Sequence, residues 1–114
     1  MATQTQISSI QNAITQINLA IPPVQAAANA ASDPSASYQL TMLGIQLVNI
    51  QTTLTQASIA ADDAILALDT TKLNAQATRL ETQAANIGAI LSDVAIAGKV
   101  AGYIGEAIGF IAHI

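Results

Sequence analysis

The chain has 114 residues and a net charge of −4, with 52% hydrophobic, 9% charged and 3% aromatic residues and neither cysteine nor tryptophan. That length suits a single domain. The acid excess argues against a nucleic-acid backbone or an electrostatically held anionic membrane surface as partner, and the lack of cysteine removes disulfides, zinc ribbons and thiol chemistry. With so few aromatic side chains, Ala, Ile and Leu must supply the core, which suits helix-on-helix packing.

The first ten residues contain no basic residue ahead of an apolar run, so no cleavable secretory signal is expected there. This leaves the cytoplasm or export by a leaderless route. Thr3 followed by Gln6 reads as a capping box that opens a helix. From there Ile7, Ile10, Ile14, Ile17, Ile21, Val24, Ala28 and Ala31 recur at the 3-4 spacing of a coiled-coil seam. The first helix is expected over about 3–31. Pro22 and Pro23 interrupt it, yet Ile21 and Val24 keep the phase across them, so a kink is expected rather than a reversal.

Asp33-Pro34 marks the second start, because Asp caps well and Pro fits the first helical position. The seam then runs through Leu40, Leu43, Leu47, Ile50, Leu54, Ala57, Ala61, Ala64 and Leu68, which predicts a helix over about 34–68. The next boundary has two candidates. Asp69 could cap a turn near Leu68 to Thr71, where the phase slips between Leu68 and Leu73; Asp62-Asp63 is the rival position. The first of these places the third helix over about 70–112, through Leu73, Ala77, Leu80, Ala84, Ile87, Leu91 and Val94.

The expected fold is therefore all-α: an antiparallel up-down-up bundle of three long helices, with the first kinked and the third extended. At 1.5 Å per residue the three helices would extend roughly 42, 51 and 64 Å. The third is too long for its neighbours, so its C-terminal quarter must fold back, meet another subunit or enter a membrane. Whether it continues past Gly98 is left open.

Two surface features point toward function. Asp33 is the sole acidic or basic side chain before Asp62, so the first two helices present Gln, Thr, Asn and Ser where surface helices commonly carry charge. In the apolar tail 98–114, Gly98, Gly102, Gly105 and Gly109 are spaced four, three and four apart along one helical stripe. Each costs a helix about 0.8 to 1 kcal/mol relative to Ala, roughly 3 to 4 kcal/mol together. Bare backbone of this kind lets another helix approach closely. With Ile104, Ile108, Phe110 and Ile111 these glycines form the expected interaction surface, while Lys99, Glu106 and His113 recur every seven residues along another line that Ser92 extends.

No catalytic, metal or cofactor site is expected. His113 is the single histidine, next to the C-terminal residue. Two glutamates without a Glu-x-x-His pair exclude a di-iron bundle site, and the glycine spacing lacks the strand and the Lys-Ser/Thr of a phosphate loop. No small-molecule substrate is evident. The expected activity is that of a non-catalytic interaction bundle, either a homo-oligomer or one docking a helical protein partner. The alternative is a membrane- or lipid-surface-active protein, such as a pore-forming, translocated or granule-coating component, whose last helix inserts.

Overall fold

The computed structural model describes residues 3–60, 62–91 and 93–114. Met1, Ala61 of the second apolar run and Ser92 of the polar line fall outside these ranges. Among the described residues every regular element is helical: α1 (Gln4–Ala30), α2 (Pro34–Ser58), α3 (Asp63–Ala84), the single turn α4 (Ile87–Ile90) and α5 (Val94–Ile111).

Both starts read from the sequence form as their chemistry dictates. Gln6 N donates to Thr3 Oγ1 at 3.1 Å while Thr3 N donates to Gln6 Oε1 at 2.9 Å, a reciprocal capping box. The same Gln6 donates from Nε2 to the carbonyl of Ile114 at 2.8 Å, which ties the start of α1 to the end of the chain. At α2 the carboxylate of Asp33 accepts from Ser35 N at 3.2 Å, with Pro34 in the first turn. The proline pair lies inside α1, whose helical assignment runs unbroken across it; Pro22 is exposed and Pro23 half-buried.

The three-helix arrangement does not form. The second helix ends at Ser58 and the third begins at Asp63, so the boundary is the rival position, because Asp62 is the residue that caps: its Oδ1 accepts from Ile65 N at 2.9 Å. Asp69 instead sits half-buried within α3. The phase slip therefore precedes Leu66, which is buried, and leaves Leu68 71% exposed on the outer side. Nor is there one helix over 70–112. α3 ends at Ala84, and Asp93 opens α5 by accepting from the amides of Ala95 and Ile96 at 3.0 and 3.2 Å. Two orphan donors at a helix start satisfied by one carboxylate are worth about 1 kcal/mol. Asp93→Ala is expected to lower stability by that amount in a urea titration.

Of the three fates open to an overlong third helix, the chain takes the first and folds back. α1 packs on α2 and α5, and α3 packs on the same two, closing a ring of four helices. Hydrogen bonds from Ser37 Oγ to the Ala28 carbonyl and from Gln51 to Asn18 set α1 and α2 antiparallel. The Gln6–Ile114 bond does the same for α1 and α5. The result is an up-down-up-down bundle measuring 46 × 21 × 19 Å. Two helices at the usual 8 to 10 Å spacing fill each short dimension, and the long one is far below the rod an unbroken third helix would have made.

One core runs the length of the bundle. Ile10, Ile17 and Val24 of α1 meet Leu40, Leu43, Leu47, Ile50 and Leu54 of α2, with Leu66, Leu73 and Leu80 from α3 and Val100, Ile104 and Ile111 from α5. Small residues complete it: Ala13 and Ala20 are fully buried and let α1 and its neighbours approach. α3 is the most thinly anchored. It offers one leucine per seven residues, and beside that row Asp69, Gln76 and Gln83 each bury a side-chain oxygen with no hydrogen-bond partner. Gln83 lines a cleft with Tyr38, Gln39 and Met42, so this polar row faces α2.

Candidate functional site: the outward face of α5

α5 is built from a sequence that is apolar on most sides, and the bundle uses only one of them. Ala97, Val100, Ile104, Ala107 and Ile111 point inward. Of the residues the sequence marked as an interaction surface, Ile104 and Ile111 are thus core residues of their own chain, while Ile108 and Phe110 are half-buried. Gly98, Gly102, Gly105 and Gly109 are all exposed, on the side away from the core. The helix is continuous through all four, and none has a positive φ.

A Cβ placed on any of these four glycines would meet nothing within 4 Å. Their bareness therefore serves no contact among the described residues of the chain. Gly44 of α2 provides the contrast: it is buried, and a Cβ there would lie 3.8 Å from Val24 Cγ1, an ordinary van der Waals contact with α1. The missing side chains leave a notch of about 430 Å³ in the surface of α5, lined by Gly102, Gly105, Glu106, Gly109, Phe110 and His113. Five of the six lining residues belong to that one helix and His113 lies in the turn directly after it, so the depression is a feature of the helix face itself.

Two rows flank the glycines. Val94, Ala101 and Ile108, seven residues apart, form an apolar edge, in which Val94 is 85% exposed. Lys99, Glu106 and His113, also seven apart, form a polar edge on the opposite flank, and all three are exposed. Residues seven apart on one helix are about 10 Å apart along the axis, so Lys99 and Glu106 do not reach each other. Neither has an ion-pair partner among the described residues.

Comparison with family models, with curated proteins and with solved structures finds no match for this chain.

Elsewhere the described surface gathers little chemistry. No group of three or more His, Cys, Asp or Glu is placed to hold a metal ion among the described residues. The groove between α1 and α2, lined by Ala28, Leu40, Gly44, Ile45 and Val48 with Gln25 and Asn49 at its rim, has no titratable side chain. Asp62 and Asp63 are exposed; Asp62 is taken up by capping α3. The sequence missed the exposed edge at Val94, which it had counted as seam, because the phase carried over from Leu91 is reset at the Asp93 cap.

Proposed function

We propose that this chain is a non-catalytic interaction module, a helical bundle that associates through the outward face of α5 with a second copy or a helical protein partner. The observation that carries this reading is the glycine stripe. Four exposed glycines forgo roughly 3 to 4 kcal/mol of helix propensity, and no neighbour among the described residues makes use of the space they leave. A partner helix seated against bare backbone at close range would recover that loss. The neutral Gln, Thr, Asn and Ser faces of α1 and α2 suit an assembling protein as well, and the proline pair in α1 reads as a bend that fits that helix to its neighbours.

Filling the notch tests the proposal. Gly102→Leu combined with Gly105→Leu puts two bulky side chains where a partner must approach, at positions with open space around them. The expected result is an unchanged or raised melting temperature together with a drop in solution mass, read by size-exclusion chromatography with light scattering. Equal masses for the variant and the parent chain would count against the face.

One observation favours a second reading, in which α5 meets lipid. Val94–Ile111 is long and apolar enough to cross a membrane, with a mean hydropathy of 1.5 and only 28% of its residues buried in the bundle. Lys99 and Glu106 lie within that span, and each charge costs about 2.5 to 3.5 kcal/mol at the centre of a bilayer. That penalty ranks insertion below protein association. Liposome flotation separates the two readings: no co-flotation at any pH from 4 to 7.5 removes the lipid one.

A further inference from the structure

We infer that the occupant of the α5 face is a second copy of this chain, running antiparallel across a two-fold axis that passes between Tyr103 and Ile104. The inference rests on the proposed association through α5 and specifies its partner and register. Three features of the face lead to it together.

First, the glycine spacing reads the same in both directions. Gly102 and Gly105 lie symmetrically about the point midway between Tyr103 and Ile104, and so do Gly98 and Gly109. An antiparallel copy centred there sets glycine against glycine at all four positions, whereas displacing that copy along the axis sets a side chain against bare backbone.

Second, the charges complement each other in that register. A two-fold axis perpendicular to both helices keeps the polar edge of one copy beside the polar edge of the other. Lys99 of one copy then lies within two residues, about 3 Å along the axis, of the level of Glu106 of the second, and the symmetry repeats the contact. Both groups are exposed, and neither is paired among the described residues of its own chain, so pairing them across the axis meets no competing bond there.

Third, the apolar edges meet on the other flank, with Ala101 near the level of Ile108 of the second copy and Val94 near the level of its Ala112. A parallel pair would instead turn the polar edge of each copy onto the apolar edge of the other, leaving Lys99 and Glu106 against Val94, Ala101 and Ile108. The edge chemistry selects the antiparallel arrangement, and a two-fold contact of one patch with itself closes at two subunits.

Charge reversal tests the register. Lys99→Glu places two acids at each crossing and Glu106→Lys two bases, so each variant alone is expected to self-associate about tenfold more weakly than the parent chain. Mixed in equal amounts, the two variants carry opposite charges at both crossings. The mixture is expected to return to the parent's dimer mass, and so is the double variant K99E/E106K. Both sites are on the surface, so the melts should stay close to the parent's. If the parent dimerises but the mixture stays as weak as its components, the antiparallel register is wrong while the α5 face stands. If Glu106→Lys associates as tightly as the parent, the register is wrong as well. A parent chain that is monomeric at every concentration overturns the second copy as occupant and leaves the α5 face to a different helical protein, or to lipid where the chain floats with vesicles of neutral phosphatidylcholine.

Discussion

Replacing Gly98, Gly102, Gly105 and Gly109 with alanine together is expected to make the single folded chain more stable by roughly 3 to 4 kcal/mol. Every one of the four is helical without a positive φ, and every one has open space where the methyl group would go. Alanine therefore gains the full propensity difference and meets no clash. For a chain of this length that corresponds to a melting temperature raised by roughly 10 to 20 °C, measured at concentrations low enough to keep the parent monomeric. Such a gain from four changes on one helix is large for a natural domain, whose whole stability is about 5 to 15 kcal/mol. The same substitutions thicken a surface proposed to meet another helix at backbone range, so they should weaken assembly as they strengthen the fold. A variant that melts lower than its parent would mean that the stripe serves the fold after all.

The second large effect concerns α3. Leu66 is 4% exposed and Leu68 is 71% exposed, although they are two residues apart on one helix. Truncating a buried leucine to alanine loses transfer free energy and leaves a cavity, a cost of about 2 to 5 kcal/mol. Leu66→Ala is therefore expected to lower stability by about 3 kcal/mol. Leu68→Ala should change it by no more than about 0.5 kcal/mol, the usual range for a surface position. Because α3 anchors itself through one leucine per seven residues, the loss at Leu66 should also free its first turns, visible as faster amide exchange over residues 63–70. The opposite order, with Leu68 the costly site, would return the second turn to Asp69.

That pair of leucines also marks where the sequence was legible and where it was not. Three helix starts have explicit chemistry, at Thr3-Gln6, Asp33-Pro34 and Asp62, and the 3-4 spacing through α1 and α2 names most of their core. The all-helical class follows from that spacing. The break-up of the C-terminal half was harder to read because its apolar residues lie on several faces. The seam through Leu73, Leu80, Ile87 and Leu91 stays in phase across the turn at Ala85-Asn86, so periodicity alone carries no sign of it. Asp93 holds the missing signal. A capping carboxylate directly ahead of an apolar run is the same device that opened α2, and applying it twice would have found the fourth long helix.

The face of α5 was legible in part for a related reason. The glycines could be placed on one stripe from their spacing, but which way that stripe points depends on the register of the core. Ile104 and Ile111 belong to the inward face with Val100, and only the fold separates them from the outward pair of edges. The symmetry of the glycine spacing, by contrast, was present in the sequence throughout. It gained meaning once the stripe was found bare, with Lys99 and Glu106 on one flank and Val94, Ala101 and Ile108 on the other.

At the centre stands a second copy of this chain covering the outward face of α5. Sedimentation velocity of the unmodified chain, from low micromolar to several hundred micromolar, addresses it most directly. The expected result is a weight-average mass that rises with concentration from that of one 11.6 kDa chain toward that of two. A mass that stays at one chain across the whole range, with a melting temperature equally independent of concentration, would contradict it.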